Sequence, residues 1–139
     1  MPVDKVAQVR VLYADTDQMG VVNNIVYLRW FEMGRAEWIR MRGRTYKDIE
    51  KTGLMMPVVE AHLKYREPAR YDDLIHIETE TDDLRAASVK FKYELKRAFD
   101  GALLCEGYTR HACTGSNGKV RRFPAEVLDM LKVHEQGEV

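Results

Sequence analysis

The sequence lacks most of the features that mark specialised protein classes. Its 139 residues include only two cysteines, Cys105 and Cys113, which is too few for a disulfide scaffold, so we expect a reducing cytoplasm. No apolar run approaches the roughly 20 residues that a membrane span requires, and the start of the chain does not have the layout of a secretory signal. The formal net charge is +0, so the chain as a whole has no electrostatic reason to bind nucleic acid or an acidic membrane.

Length and composition are those of one folded domain. Hydrophobic residues make up 45% of the chain and charged residues 32%, a balance that argues against disorder and against a fibrous repeat. No linker, internal repeat or low-complexity tract divides the sequence, so we predict a single domain over residues 1–139. The tail from Glu135 to Val139 is expected to be frayed.

Alternating polar and apolar residues predict five β-strands. The alternation is clear over Val59–Arg66, Leu74–Asp82 and Val89–Lys96 and weaker over Val6–Tyr13, and a fifth strand is predicted from Leu103 to about Thr114. Successive side chains of a strand point to opposite faces, so each stretch has one apolar and one polar face. Strands with only one apolar face favour an antiparallel sheet.

The period changes between Asn24 and Arg42, where the sequence predicts a long, largely buried helix. Gly34 lies in the middle of this helix at a cost of about 1 kcal/mol relative to alanine, so we expect a close approach of the helix backbone to the sheet. Asn23 or Asn24 can cap the start, and Gly43 follows the end. The apolar positions recur at helical spacing: Tyr27, Phe31, Gly34, Trp38 and Met41.

The order of elements predicts an α+β domain with two layers. Two shorter helices are predicted, over Tyr46–Lys51 and Pro124–His134, so that one long helix packs on a five-stranded antiparallel sheet. An open sheet edge tends to pair with another edge, and a single helix covers only one face of the sheet. We therefore expect a homo-oligomer, either a homodimer or a homotetramer.

The segment between the first strand and the long helix is the richest in reactive groups. Asp15 and Asp17 are followed by Gly20, which permits a tight turn, and then by a helix N-terminus with unpaired N–H groups and partial positive charge. A carboxylate beside such donors can attack a carbonyl and hold the resulting oxyanion. The same residues, Asp15 above all, also fit ordinary turn and capping chemistry, and spacing alone does not decide between the two interpretations.

The remaining titratable residues indicate no metal site. The four histidines lie in separate elements, so none forms a local ligand pair. His111 and Cys113 are two residues apart on a predicted strand and share a face with Cys105, but a zinc site would need four convergent ligands. We interpret both cysteines as buried thiols and predict neither a metal nor another cofactor.

Several short motifs together resemble a known family. The residues Arg10-Val11, Thr16-Asp17, Gly20-Val21-Val22 and Tyr27 resemble the signature of the 4-hydroxybenzoyl-CoA thioesterase family of hotdog-fold proteins, which includes the YbgC-like acyl-CoA thioesterases. The closing segment Lys119–Pro124 is similar to that of YbgC-like members. The resemblance implies a hotdog fold, in which a curved antiparallel sheet of about five strands wraps around one long buried helix.

The resemblance also implies an activity and its catalytic groups. It implies hydrolysis of an acyl-CoA thioester, or of a thioester on acyl carrier protein, without a cofactor. Asp17 falls on the catalytic carboxylate of the family, which acts as nucleophile or as general base, and the backbone N–H of Asn24 falls on the group that polarises the thioester oxygen. Many members carry His or Phe where this chain has Asn24, but a main-chain donor does not depend on the side chain.

Substrate-binding residues follow from the same resemblance. Tyr27 fits a pocket wall and a core aromatic equally well. Arg85 is the only basic residue left in the turn between the third and fourth strands that meets the CoA phosphates in many members, and Arg121 and Arg122 offer a second possibility; each also fits solvated surface charge. The implied substrate-binding residues are Gly20, Val22, Tyr27 and Arg85.

Two other functions remain open for a hotdog protein. One is a non-catalytic protein that binds acyl-CoA without releasing thiol. The other is a dehydratase, but hotdog dehydratases pair a histidine with an acidic residue, and the segment around Asp17 has no histidine.

Overall fold

A long helix packs across the inner face of a curved, five-stranded antiparallel sheet. The computed structural model describes residues 7–132. The main sheet has the strand order β1-β4-β5-β6-β3, so the predicted α+β class, long helix and five main strands are confirmed. The elements are β1 (Ala7–Arg10), α1 (Asn24–Met41), α2 (Tyr46–Glu50), β2 (Leu54–Met55), β3 (Val58–Tyr65), β4 (Leu74–Asp82), β5 (Ser88–Arg97), β6 (Leu103–Ala112), β7 (Thr114–Gly115) and α3 (Ala125–Leu131).

Helix α1 has the cap and the close approach that its sequence predicts. Asn23 is the N-cap, because its side-chain oxygen accepts a hydrogen bond from the N–H of Ile25 at 3.0 Å. A Cβ atom at Gly34 would overlap the side chains of Thr79 and Ile77 on β4. The missing side chain therefore lets the helix backbone lie directly on the sheet, which compensates for the low helix propensity of glycine.

Aromatic residues hold the middle of α1 against the sheet. The ring of Phe31 stacks on Tyr93 with centroids 4.2 Å apart, and Trp38 meets Phe91 edge-on at 5.5 Å. All four side chains are buried. Burial of each large apolar side chain contributes about 1.5–3 kcal/mol, so these contacts fix the axis of α1 and with it the position of the helix start.

The first strand is shorter than predicted. Strand β1 ends at Arg10 rather than at Tyr13, and the predicted start at Val6 lies outside the described residues. The carboxylate of Asp15 accepts the N–H of Leu12 at 2.9 Å, and the N–H of Asp15 donates to the carbonyl of Leu12 at the same distance. These bonds turn the chain into a short 3-10 turn, which a weak alternating pattern does not reveal.

The C-terminal part departs from prediction in two places. Strand β6 ends at Ala112, and Thr114 instead pairs with Met55, so that β2 and β7 form a small second ladder. Strands of two residues are too short to show a period, which is why the sequence did not predict them. Helix α3 is confirmed, over Ala125–Leu131 instead of the predicted 124–134. Residues 133–139, which include the last two positions of the predicted helix and the predicted frayed tail, lie outside the described residues.

The outer face of the sheet and its β3 edge differ in polarity. Its outer face is polar and crossed by ion pairs such as Lys96–Glu78 at 3.2 Å and Lys92–Glu80 at 3.8 Å. That face needs no cover, so the expectation of an oligomer loses one of its two reasons. The other reason stands, because β3 is an edge strand and its Val59 is 59% exposed.

Within residues 7–132, no helix combines the length and apolarity that crossing a bilayer demands.

Candidate functional site

Asp17 lies in a tight hairpin between β1 and α1. Thr16 and Val22 form an isolated antiparallel bridge, and the N–H of Asp17 donates to the carbonyl of Val21 at 2.9 Å. Gly20 closes the turn by donating to the carbonyl of Asp17 at 3.0 Å. Its φ of +80° is a conformation that glycine adopts at little cost. Gly20, one of the implied substrate-binding residues, therefore shapes the turn that presents Asp17.

The loop before β4 anchors this hairpin. The N–H of Val22 donates to the carbonyl of Ala69 at 2.9 Å, and Val21 forms a bridge with Arg70. The side chain of Val22, the second implied substrate-binding residue, is buried in the hydrophobic core of the single chain. Within one chain Val22 thus holds the hairpin in place rather than lining an open surface.

Asp15 ties the hairpin to the helix. Its side chain is almost fully buried; one oxygen accepts from Arg29 of α1 at 2.7 Å and the other from the N–H of Leu12. Its carbonyl also accepts the N–H of Asn23 at 2.9 Å. With both oxygens and the carbonyl engaged, Asp15 is a structural carboxylate, which agrees with the turn and capping interpretation.

The carboxylate of Asp17 has a different environment. Its Oδ1 accepts the N–H of Met19 at 2.8 Å and, more weakly, that of Val21 at 3.4 Å. Across the described ranges, its Oδ2 accepts no hydrogen bond, and the residue is exposed. One oxygen therefore fixes the orientation of the carboxylate while the other is available for chemistry.

Asn24 is the first residue of α1. Its backbone N–H donates to no group among residues 7–132, as expected for the first turn of a helix, where the positive end of the helix dipole lies. The hydroxyl of Tyr65 on β3 donates to the carbonyl of Asn24 at 3.3 Å. The start of α1 thus presents an unpartnered donor that is held between the hairpin and the edge of the sheet.

Tyr27 is part of the core of the single chain. Its hydroxyl accepts the N–H of Ala69 at 3.0 Å, and its ring meets Tyr65 and Trp30 edge-on at 5.2 and 5.3 Å. Burial raises the pKa of its hydroxyl above the usual value. Of the two interpretations of Tyr27, the contacts favour the core aromatic, which supports the loop that carries the hairpin.

Arg85, the basic residue implied to meet the CoA phosphates, lies away from Asp17 within one chain. Arg85 follows the far end of β4 and pairs with Asp83 at 2.8 Å. Nine strand residues span about 30 Å, which separates Arg85 from the end of β4 that meets β1. Arg121 lines an open groove of about 410 Å³ beside the β2–β7 ladder, together with Lys119.

The buried thiol of Cys105 and the buried ring of His111 are uncharged at neutral pH. Burial raises the pKa of Cys105 to about 12, so its thiol is protonated and a poor nucleophile. Burial, together with the nearby Arg35, lowers the pKa of His111 to about 4, so its ring is neutral. In the part of the chain that the structure describes, no three His, Cys, Asp or Glu side chains converge as metal ligands would.

A chain of buried hydrogen bonds is the main feature that the sequence did not predict. Arg35 Nη1 lies 3.1 Å from the Tyr93 hydroxyl, which lies 2.7 Å from the Thr109 hydroxyl; Thr109 in turn bonds His111 Nε2 at 2.9 Å. His111 Nδ1 bonds the carbonyl of Met56 at 2.9 Å. Because a carbonyl can only accept, Nδ1 carries the proton of the neutral ring, and every bond in the chain therefore runs from Arg35 towards Met56. The sequence feature that could have pointed to this chain of bonds is the position of Arg35, one turn after Phe31 on the apolar side of the helix.

Comparisons with known proteins agree with this architecture. Residues 11–131 match the thioesterase-like superfamily. The acyl-CoA thioesterase YbgC of Haemophilus influenzae is 34% identical over 122 residues, which cover 86% of this chain and 88% of that protein. A crystal structure of a hypothetical protein from Thermus thermophilus has a TM-score of 0.86 and 35% identity, covering 92% of this chain and 97% of that one. The DHNA-CoA thioesterase of Staphylococcus aureus has a TM-score of 0.84 and 26% identity, covering 89% and 85% of the two chains.

Proposed function

This chain belongs to the thioesterase-like superfamily as a YbgC-like hotdog protein and a thioester hydrolase, and we propose that it hydrolyses acyl-CoA through Asp17. The observation that carries the proposal is the connection between the Asp17 hairpin and the start of α1. Asp15 bonds both segments, and Val22 anchors the hairpin to the loop before β4. A carboxylate with one available oxygen is thereby held in the same rigid unit as an unpartnered helix N–H. Acyl carrier protein is the alternative carrier of the same thioester.

The backbone N–H of Asn24 is the proposed oxyanion donor. Attack on the thioester carbonyl moves negative charge onto its oxygen, and a fixed donor at a helix N-terminus stabilises that charge. One such donor is worth about 3 kcal/mol, or two to three decades in turnover. Because the donor belongs to the main chain, the asparagine side chain need not take part.

Two routes are compatible with this arrangement. As a general base, Asp17 takes a proton from water while the water oxygen attacks; the C–S bond then breaks, and the CoA thiolate leaves and is protonated. As a nucleophile, Asp17 forms a mixed anhydride, releases the thiolate, and is regenerated when water hydrolyses the anhydride. Label found in the Asp17 carboxylate after a single turnover in ¹⁸O-labelled water identifies the nucleophilic route with water attack at the Asp17 carbonyl of the anhydride. Attack at the acyl carbonyl instead places the label in the product acid, as the general-base route does, so that case is distinguished by trapping the anhydride.

We further propose that a second copy of the chain completes the site. Beside Asn24, Ile25 is 76% and Leu28 is 42% exposed, and the neighbouring β3 is an open edge. Exposed apolar side chains next to an unpaired strand edge favour association, which supports a homodimer or a tetramer built from two dimers. A site made from two copies is also the only one that Arg85 could serve; Arg121 is the alternative contact for the CoA phosphates.

Replacement of Asp17 by asparagine tests the catalytic assignment. Asp17→Asn keeps the shape and the acceptor for Met19 but removes the charge, so we expect normal folding and a loss of turnover of about 100- to 10,000-fold. The measurement is thiol release from a panel of acyl-CoA thioesters, with thermal melting as the check on folding. Asp82→Asn, an exposed carboxylate at the far end of β4, is the matched control and should retain full turnover.

The results also separate hydrolysis from binding alone. If Asp17→Asn turns over within a few-fold of the wild type, Asp17 is not the catalytic group. If the wild-type protein binds acyl-CoA but releases no thiol, the protein is the non-catalytic binder and the proposed mechanism fails as a whole.

A further inference from the structure

The inner face of the sheet is incompletely covered at Gly107, Leu63 and Ala61, and we call this uncovered strip the slot. Gly107 belongs to the inner face of the interior strand β6, yet it is only half-buried. Across the ladder it pairs with Leu63, which is also half-buried, and Ala61 beyond it is exposed. A Cβ atom at Gly107 would overlap the carbonyl oxygen of His62, so the close approach of β3 requires a glycine and leaves the floor of the slot without a side chain.

One end of the slot lies at the candidate site. Tyr65 follows Leu63 on the same face of β3, and its hydroxyl bonds the carbonyl of Asn24 at 3.3 Å. The slot therefore starts beside the helix N–H that is the proposed oxyanion donor. An acyl group whose carbonyl rests on that donor has the slot as its open path along α1.

The other end of the slot meets the buried hydrogen-bond chain. Thr109 follows Gly107 on the same face of β6, and its hydroxyl bonds Tyr93, which accepts from Arg35. Arg35 is 8% exposed, and its Nε is buried with no hydrogen-bond partner in the described part of the chain. Among residues 7–132, no carboxylate forms an ion pair with it. A buried guanidinium without a counterion is costly, and an anion that reached it would remove the cost.

The spacing along α1 sets the length of a group that connects the two ends. Asn24 and Arg35 are separated by about 16 Å of helix at 1.5 Å per residue. An arginine side chain leans towards the helix N-terminus by roughly one turn, which leaves about 11 Å. An extended chain advances roughly 1.2 Å per bond, so an acyl group of about eight to ten carbons spans the distance.

We propose that Arg35 determines specificity by binding the terminal carboxylate of an ω-carboxyacyl thioester. The inference rests on the proposed function, because it takes the thioester carbonyl to lie at Asn24. Nε and Nη2 of an arginine form a fork that matches the two oxygens of a carboxylate, while Nη1 remains on Tyr93. An unsubstituted fatty acyl group of equal length leaves the guanidinium without a counterion.

The test compares matched thioesters on the full chain. Thiol release is measured for adipyl-, suberyl- and sebacyl-CoA against hexanoyl-, octanoyl- and decanoyl-CoA. We expect the wild type to prefer suberyl-CoA over octanoyl-CoA by at least about tenfold in kcat/KM. Arg35→Met keeps the length but removes the charge, and it should lower that ratio by about ten- to a hundredfold, mainly by slowing suberyl-CoA. Arg40→Met, on the exposed side of the same helix and paired with Glu37, should leave the ratio unchanged.

Two further measurements make every outcome decisive. Arg35→Lys keeps a buried charge without the fork and should lower the ratio several-fold, so it replaces Arg35→Met if that variant does not fold. Calorimetric binding of the thioethers S-(7-carboxyheptyl)-CoA and S-octyl-CoA requires no catalysis, so it tests Arg35 even if no thioester is hydrolysed. Equal rates or affinities for the two series in the wild type, or an equal loss for both in the Arg35 variants, would overturn the proposal and leave Arg35 a purely structural residue.

Discussion

The first turn and the middle of α1 are built on opposite principles. The first turn leaves the N–H of Asn24 without a partner in the described residues and exposes Ile25 and Leu28. The middle buries Phe31 completely and rests Gly34 directly on β4. The packed middle fixes the helix axis, so the first turn can keep a polar group unsatisfied in a defined position, as the proposed role of the Asn24 N–H requires.

Substitutions at two apolar positions of the same helix give the largest expected effect. Phe31→Ala removes a fully buried ring that stacks on Tyr93, so we expect a loss of about 3–5 kcal/mol in the free energy of unfolding. Leu28→Ala, a half-exposed position one turn earlier, should lose less than about 1 kcal/mol from the fold of the single chain; a further loss that grows with protein concentration would report the proposed contact with a second copy. Urea unfolding followed by circular dichroism measures both. Similar losses in the free energy of unfolding at the two positions would contradict the distinction between the packed middle and the exposed first turn.

The buried hydrogen-bond chain should make the packed part sensitive to acid. The pKa of His111 is lowered to about 4 in the folded state, whereas an unfolded histidine titrates near 6.5. The unfolded chain therefore binds more protons between those values, so stability is full above about pH 6.5 and falls as the pH drops towards 4. Between pH 7 and 5 we expect a loss of about 2 kcal/mol.

Urea unfolding at the two pH values checks this effect, with His111→Gln as the matched variant. Its side chain does not titrate in this range, so its stability should change less between pH 7 and 5. A wild-type protein and a variant with the same pH dependence would show that His111 is not the source.

Substitution of Asp15, which ties the hairpin to α1, should give the smallest loss of stability and, in addition, a loss of turnover. Asp15→Asn weakens the bond to Arg29 but can still accept the N–H of Leu12, so we expect about 1–2 kcal/mol of destabilisation. Because the hairpin also positions Asp17, turnover should fall as well, whereas Asp17→Asn should reduce turnover without loss of stability. Melting and thiol release, measured on both variants, sharpen the contrast; a stable Asp15→Asn protein with full turnover would contradict it.

Prediction succeeded where a pattern reflects one dominant contact surface. The strands over β4 and β5 alternate because one face packs against α1 and the other meets water. Gly34 was interpretable because a glycine in a long helix has few other reasons to be there. The same reasoning predicted β1 too long, because the Asp15–Leu12 bonds that end the strand involve residue types that also occur within extended segments.

Other features had no pattern to reveal them. Strand β3 alternates as an amphipathic strand does, but the alternation does not show that β3 lies at the edge of the sheet. It also does not show the bulge between Val58 and Glu60 or the partly uncovered apolar face. Arg35 drew no prediction from the sequence, because its partners Tyr93 and Thr109 are far from it in the chain. Hydrogen bonds between distant segments leave no local period in a sequence.

Local patterns in the sequence were enough to predict the long helix, the five main strands, their order and the segment that carries the proposed catalytic carboxylate, because periodicity, turn residues and a family motif are properties of neighbouring residues. Packing was needed to show that Asp15 is engaged and Asp17 available, that Tyr27 is a core residue, and that buried Arg35 forms no ion pair with a carboxylate among residues 7–132. The reason is physical: exposure, charge pairing and proton affinity depend on which distant segments pack together, and that information is spread over the whole chain.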